Sequence, residues 1–317
     1  SEDTMTAARR NFLWPLVIVA LGAVGLLIAI DAVPEAVGDL LRRAWPALLV
    51  LIGLEALVGT RQLALGRRRV PANVLVLVVV LVALAAVVVF AYQKQADSMR
   101  SDNVQVFAET LAEDIRQVEV TAALQRTALT VGAGEPGSRA LMARYAGSRD
   151  HIVTMDWTAQ AATGALAVME QAGGSIPRLE DYGRATFELT LPDKTAIALL
   201  RLESSSGDGA LDLQPLQIQR LEATLSDGSL VVTLPVGEAL NGRLEVRGGD
   251  LELRVPRGVP LTLSLAEGSG EPAYVYDDLR YDLLRDGTLK LENATEFQIG
   301  LTVWLESGAT LRVVDVD

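Results

Sequence analysis

The chain has 317 residues, 50% of them hydrophobic, with a mean hydropathy of +0.29 and a formal net charge of −12. This acidic balance argues against nucleic-acid binding, which requires a basic surface to neutralise phosphates. Because the sequence has no cysteine and a single histidine, it excludes disulfides, thiolate zinc sites and cysteine nucleophiles, and it disfavours histidine-based metal sites.

The charges are divided unevenly along the chain. Residues 1–92 carry eight arginines and six carboxylates, whereas residues 93–317 carry 20 basic and 34 acidic residues. A short apolar segment followed by a long acidic one predicts a membrane region joined to a domain outside the lipid.

Three apolar segments predict transmembrane helices at about residues 11–30, 44–60 and 74–92. The first has no charged residue, and a helix of about 20 residues rises about 30 Å, the thickness of the hydrocarbon core. A cleaved signal peptide is the alternative interpretation of this segment, but the third segment would anchor the chain in either case. Residues 1–92 are therefore predicted to be a helical membrane region embedded in the bilayer.

Arginine placement predicts the orientation of the chain. Arginines lie before the first span and between the second and third, which are on the same side of the membrane in a three-span protein: Arg9, Arg10, Arg61, Arg67, Arg68 and Arg69. By the positive-inside rule that side is cytoplasmic. We therefore expect a multi-pass protein of the bacterial plasma membrane, with a cytoplasmic N-terminus and an extracytoplasmic C-terminal domain.

Glu55 is the only ionisable residue within a predicted span. Carboxylates inside a membrane usually have a function, so Glu55 is a candidate intramembrane site for coupling or proton handling. The alternative is a shallow carboxylate that reaches toward Arg61 at the end of a short span.

After a polar linker at residues 93–102, the hydrophobic pattern changes to a period of two. Leu251, Leu253 and Val255 alternate with charged residues, and similar alternation occurs in residues 187–191, 261–265 and 299–305. This pattern is typical of half-buried strands, so residues 103–317 are predicted to form an all-β domain. Gly173-Gly174 indicates a joint between subunits at 103–173 and 184–317.

An internal repeat of about 21 residues runs through this domain. Residues 228–235 (GSLVVTLP) match residues 249–256 (GDLELRVP), and Gly287 and Gly308 are separated by the same interval. Equal steps of this length predict stacked rungs, as in a β-solenoid, with glycines at the corners.

The membrane half contains W-P-x6-G twice, from Trp14 to Gly22 and from Trp45 to Gly53. In the outer half, turn glycines, alternating strands and Leu-Pro or Val-Pro stops occur in three segments, LTVGAGEPGSRALMARYAG (129–147), ALDLQPLQIQRLEATLSDGSLVVTLPVG (210–237) and LEVRGGDLELRVPRGVPLTL (244–263). With these motifs the chain resembles LiaI- and LiaF-type membrane proteins, in which such a transmembrane region precedes a toast-rack β domain. LiaF-type proteins are usually described with four spans, and three are predicted here.

The resemblance implies an accessory protein of cell-envelope stress signalling. LiaF restrains a sensor histidine kinase, so a membrane protein of that kind is the implied partner. No catalytic residue belongs to the family pattern, and the resemblance implies no cofactor or metal.

The richest acidic and aromatic segment is EPAYVYDDLRYDLLRDG at residues 271–287. Tyrosines near carboxylates are suited to protein recognition, so we select the following residues as candidate partner-binding residues: Tyr274, Tyr276, Asp277, Asp278, Tyr281 and Asp282. A solvated loop is the alternative. The aspartate spacing does not match a calcium-binding loop.

His151 begins the strand-like segment HIVTMDW. No G-x-S-x-G elbow accompanies it, so we do not assign it to a serine hydrolase. We interpret it as a surface residue at a strand end, with a pH-sensing pair formed with Asp150 as the alternative.

Three functions are compatible with the sequence. The first is a non-enzymatic regulatory or sensory membrane protein, as the resemblance implies. The second is an accessory or scaffold subunit of a larger membrane complex, or a self-assembling homo-oligomer, because repetitive β domains have edges that favour stacking. The third is an enzyme or transporter. Three spans and one intramembrane carboxylate are too few to form a transport path unless the chain oligomerises.

Overall fold

The computed structural model describes residues 62–65, 68–71, 89, 98–149, 151–172, 183–236, 239–291 and 299–316. The predicted spans at 11–30, 44–60 and 74–92, apart from Val89, lie outside the described residues, as do Glu55 and the first half of the predicted linker. Among the residues that are described, no helix has the length and apolar character needed to cross a membrane.

The chain divides into two units, residues 1–97 with 176–182 and residues 98–175 with 183–317. In the first unit, the described strands are β1 (Gln62–Leu65) and β2 (Arg68–Pro71), which pair antiparallel. They lie in the segment predicted to connect the second and third spans.

The described part of the second unit is all β, as the alternating pattern predicted. Its strands are β3 (Asn103–Thr110), β4 (Gln117–Ala133), β5 (Ala140–Gly147), β6 (His151–Gln160), β7 (Thr163–Ala172), β8 (Ala185–Leu191), β9 (Ala196–Ser206), β10 (Gly209–Asp212), β11 (Arg220–Leu225), β12 (Leu230–Thr233), β13 (Asn241–Val246), β14 (Leu251–Pro256), β15 (Leu261–Leu265), β16 (Ala273–Val275), β17 (Tyr281–Leu283), β18 (Leu289–Leu291), β19 (Ile299–Leu305) and β20 (Thr310–Val316).

These strands form two sheets with a common strand. Sheet 1 has the order β3-β5-β8-β4-β10-β12-β14-β20-β16. Sheet 2 has the order β6-β7-β4-β9-β11-β13-β19-β15-β18-β17. The long strand β4 begins in sheet 2 and ends in sheet 1, crossing between them near Gln125.

One hydrophobic core lies between the sheets. Alternate residues of most strands enter it, so that Leu251, Leu253 and Val255 are fully buried while Glu252 and Arg254 are not. Strands β8 and β9, which follow the predicted joint at Gly173-Gly174, pair directly with β4 and β5. Residues on the two sides of the joint therefore belong to one unit.

Parallel strands in the centre of both sheets are stacked at the predicted interval of 21 residues. In sheet 1, Gly209 lies beside Leu230 and Leu230 beside Leu251. In sheet 2, Leu200 lies beside Leu221, and Arg220 beside Asn241. The repeated segments at 228–235 and 249–256 are thus neighbouring rungs.

The interval between Gly287 and Gly308 has a different origin, and its interpretation as a rung was wrong. Strand β18, which follows Gly287, runs antiparallel to β15 and β17. Strand β20, which follows Gly308, runs parallel to β14 and β16. The two strands are in different sheets, so the equal spacing of their glycines is not a structural repeat.

Glycines allow the backbones of successive rungs to touch at one corner. A Cβ atom at Gly228 would lie 2.2 Å from the carbonyl oxygen of Gly207, and one at Gly249 would lie 2.3 Å from that of Gly228. Gly228 also has a φ of 134°, in the region that side chains rarely adopt. This corner therefore requires glycine every 21 residues.

We expect Gly228→Ala to lower the free energy of unfolding by about 2–4 kcal/mol, because it adds a backbone clash to an unfavourable φ. Gly258→Ala is the matched control, since Gly258 also has a positive φ but a Cβ there would meet no atom within 4 Å. The control should cost only about 1 kcal/mol. Urea unfolding of the full chain in detergent, followed by circular dichroism, measures both, and equal losses would contradict the stacked corner.

Candidate functional site

The predicted acidic and aromatic segment lies at one end of the two sheets. Strand β16 is the edge of sheet 1 and pairs with β20, and strand β17 is the edge of sheet 2 and pairs with β18. Both edge strands have only three residues. The connection between them, residues 276–280, therefore passes from one sheet edge to the other.

The tyrosine rings at the start of this segment are half-buried. Tyr274 and Tyr276 meet edge to face, with ring centroids 6.5 Å apart. The Tyr274 hydroxyl donates a hydrogen bond to the carbonyl oxygen of Gly287 at 3.1 Å. Burial, together with the neighbouring Tyr276, raises the pKa of Tyr274, so it remains a neutral donor. Both rings are held in place and expose part of their surface.

Tyr281 belongs to the core, because only 3% of it is exposed. Its hydroxyl donates to Asp315 Oδ1 at 2.9 Å, and Arg280 forms an ion pair with the same oxygen at 2.5 Å. Burial and the bond to Asp315 raise the pKa of Tyr281 well above its usual range. Tyr281 was selected as a partner-binding residue, but the structure makes it an anchor for the segment, with little surface for a partner.

The chain between the two edge strands forms a tight turn at residues 277–281, which we call the Leu279 turn. Asp277 Oδ1 accepts a hydrogen bond from the Leu279 amide at 3.0 Å, and the Asp277 carbonyl oxygen accepts bonds from the amides of Arg280 and Tyr281. The Leu279 side chain at its tip is 91% exposed. The turn thus presents a leucine in a fixed backbone conformation.

Other exposed apolar and acidic residues lie near Leu279 in the sequence. The exposed apolar residues of the segment are Val275, Leu279, Leu283 and Leu284. Asp278 and Asp282 are also exposed. The sequence predicted the acidic residues but missed the leucines, because leucine in a β protein is normally a core residue. The signal that could have identified the turn is Asp277, since aspartate commonly closes a turn by bonding to the amide two residues later.

A second cluster of polar side chains is buried where β4 crosses between the sheets. The Glu170 side chain is 0% exposed and accepts hydrogen bonds from the Gln125 amide at 2.7 Å, the Thr127 hydroxyl at 2.8 Å and the Tyr145 hydroxyl at 2.8 Å. His151 Nδ1 contacts the same carboxylate. Four donors from β4, β5 and β6 therefore converge on one acceptor.

His151 begins strand β6, so it lies at a strand end as predicted, but its side chain is only 14% exposed and contacts the buried Glu170. Asp150, its predicted pH-sensing partner, lies outside the described residues. No sequence pattern indicates the actual partner, since Glu170 lies 19 residues away on the paired strand β7.

The charge of this cluster follows from its hydrogen bonds. Burial acts to raise the pKa of Glu170, but the bonds from His151, Gln125, Thr127 and Tyr145 outweigh it and lower the pKa below its ordinary 4.5. Burial and the adjacent carboxylate raise the pKa of Tyr145 far above its usual range. Glu170 is thus an ionised acceptor that joins three strands, and its burial separates it from solvent and from any large substrate.

No group of three or more metal-ligating side chains occurs within the described ranges. The exposed groups at the Leu279 turn are carboxylates and apolar side chains. The polar cluster that contains histidine is buried.

No protein-family model and no curated protein sequence matches this chain. Among solved structures, it is similar to a candidate cell adhesion protein from Clostridium sporogenes, with a TM-score of 0.54 and 12% identity over 68% of this chain and 100% of that one. A candidate adhesin from Bacteroides fragilis aligns over 69% of this chain and 100% of its own, at 10% identity and a TM-score of 0.23. The first comparison shows a common β fold. The TM-score of the second is too low to support any conclusion.

We expect Glu170→Gln to destabilise the domain by about 2–4 kcal/mol at pH 7, because the donors that meet the carboxylate would lose a charged acceptor. Since the folded pKa of Glu170 lies below 4.5, its contribution is present above that pH and is lost as the pH falls through the lowered value. Unfolding in urea between pH 7 and pH 3 should therefore show the two proteins converging in stability.

The matched control is Glu188→Gln, which removes a carboxylate from the exposed pair with Arg144. An exposed pair contributes roughly 0–1 kcal/mol. Equal effects of the two substitutions, or a constant stability difference across this pH range for Glu170→Gln, would contradict the proposed role of the buried carboxylate.

Proposed function

We propose that the chain is a non-enzymatic regulatory protein of the bacterial cell envelope, anchored in the plasma membrane by its N-terminal region, whose β domain binds a membrane protein partner on the extracytoplasmic side. The observation that carries the proposal is the Leu279 turn, in which a 91% exposed leucine is held between two sheet edges. An exposed apolar side chain in a pre-organised turn binds a partner with little loss of conformational entropy.

The chemistry around the turn indicates what it would bind. Residues 271–290 contain five carboxylates and three basic residues, and one of the three, Arg280, is already paired with Asp315. A complementary partner surface would combine an apolar pocket for Leu279 with basic side chains for Asp278 and Asp282. The half-buried rings of Tyr274 and Tyr276 would support this contact.

The wider assignment to a LiaF-like protein rests on several features together. They are the W-P-x6-G motifs, the predicted spans and the 21-residue stacking of parallel strands, which is compatible with a toast-rack domain of the β-solenoid kind. A LiaF-like role would make a sensor histidine kinase the partner, restrained until envelope stress occurs. The likeness to a candidate cell adhesion protein is also compatible with a domain that binds other proteins.

A scaffold or self-assembling homo-oligomer is the second candidate, favoured by the opposite end of the sheets. There the edge strands β3 and β6 have 8 and 10 residues, and each pairs with only one other described strand. Val106 on β3 is 60% exposed. Long edge strands with exposed apolar residues can pair with another copy of the same chain.

Photo-crosslinking in living cells tests both candidates. A benzoylphenylalanine at position 279 should crosslink to a membrane protein, which mass spectrometry would identify as a sensor kinase. In a second experiment, Leu279→Asp should release that kinase from restraint and raise its phosphorylation several-fold. The matched position is Val106, also exposed and apolar, where no kinase crosslink is expected.

The outcomes separate the two functions. Homodimeric crosslinks from position 106, with none to another protein from position 279, would favour the scaffold. Absence of a heterologous product at position 279 under both resting and stress conditions would overturn the regulatory proposal.

A further inference from the structure

A pocket with a volume of about 290 Å³ opens at the end of the domain formed by β3 and β6. It lies at the opposite end of the sheets from the Leu279 turn. Its walls come from the end of β3, the loop that follows it and the end of β6, and they consist of Glu109, Leu111, Ala112, Asp114, Ile115, Trp157, Ala159 and Ala161.

The indole of Trp157 packs directly against the backbone of a glycine. A Cβ atom at Gly164, on the neighbouring strand β7, would lie 2.1 Å from the ring atom Cη2 of Trp157. On the other strand of the pocket, the ring of Phe107 lies 6.2 Å from the indole, inclined at 42°. A larger residue at position 164 would displace the indole, so this glycine determines the position of the Trp157 ring in the pocket wall.

The loop wall is also fixed in place. Arg139 donates hydrogen bonds to the carbonyl oxygens of Leu111, Ala112 and Ile115, at 3.1, 2.6 and 2.8 Å. Ala161, at the other side of the pocket, has a φ of 52° and is the first residue of the two-residue hairpin turn between β6 and β7, which commonly has a positive φ there. The pocket is therefore formed before any ligand arrives.

The polar groups of the pocket are two carboxylates. Glu109 and Asp114 are exposed, and neither forms an ion pair within the part of the chain that the structure describes. Arg139, which is not among the lining residues, directs its donors to the three carbonyl oxygens of the loop. The charged residues that line the pocket are both acidic, so its rim is negative.

We propose that this pocket binds an organic cation with an apolar stem, meaning an alkylammonium or guanidinium group. The carboxylates attract the cation, the electron-rich indole of Trp157 adds a cation–π contact, and the exposed side chains of Ala159 and Ala161 accept the alkyl stem. The cation belongs either to a lysine or arginine side chain of a protein or to a free amine. This site goes beyond the regulatory function proposed above, because it shares no residue with the Leu279 turn.

The test uses the full chain in detergent, labelled with 5-fluorotryptophan, whose four signals are assigned by Trp157→Phe. Titration with butylammonium chloride should shift the Trp157 signal with saturation and a Kd on the order of 1–10 mM, as expected for five heavy atoms. Sodium chloride at equal ionic strength and 1-butanol, which keeps the stem without the charge, should not produce a saturable shift.

Charge-removing variants locate the site. The double variant Glu109→Gln/Asp114→Asn should weaken butylammonium binding about fivefold or more, because it removes both carboxylates and keeps the shape of the pocket. The double variant Glu119→Gln/Glu135→Gln is the matched control, since it removes two exposed carboxylates outside the pocket, and it should leave the Kd unchanged.

A capped tripeptide, acetyl-alanyl-lysyl-alanine amide, distinguishes the two sources of the cation, with norleucine replacing lysine as its control. Binding at least as tight as that of butylammonium identifies a protein side chain as the ligand, whereas binding of butylammonium alone identifies a free amine. The proposal is overturned if neither cation shifts the Trp157 signal, if 1-butanol acts equally, or if the Glu109/Asp114 variant binds as before.

Discussion

Direct contact between the backbones of successive rungs is the constraint on which the rest of the domain depends. At one corner, Gly207, Gly228 and Gly249 lie so close together that a Cβ atom could not be accommodated. This contact sets the register of the parallel strands, and the register in turn places leucines and valines of both sheets in one core. Each rung buries its apolar face against its neighbours, so the stack is stable only as a whole.

The two ends of this stack differ in the length of their edge strands. At one end, three-residue edge strands expose little backbone for pairing, and the Leu279 turn lies between them, anchored by Tyr281 and Asp315. At the other end, β3 and β6 are long, and the pocket beside Trp157 lies at their ends. The ionised carboxylate of Glu170 fastens β6 and β5 to the crossing of β4, which supports that second end. The stack thus separates the two surfaces for which we propose binding.

Local patterns predicted much of the fold, because the period-two alternation and the 21-residue interval at 228–256 are properties of neighbouring residues. The Glu170 cluster was not predicted, since its donors are 19 to 45 residues away and become neighbours only through strand pairing. The exposure of Leu279 was also missed, because a leucine in a β sequence normally enters the core. The 21-residue spacing of Gly287 and Gly308 wrongly predicted a further rung, because the strands that follow these glycines belong to different sheets.

We propose above all that this stack lies on the extracytoplasmic side of the membrane. Because the chain contains no cysteine, a single introduced thiol reports its own location when cells are treated with a membrane-impermeant maleimide. Glu135→Cys, in an exposed turn of the β domain, should be labelled in intact cells, whereas Arg67→Cys, between the second and third predicted spans, should be labelled only after permeabilisation. Labelling of Arg67→Cys in intact cells, with Glu135→Cys protected until permeabilisation, would contradict the account.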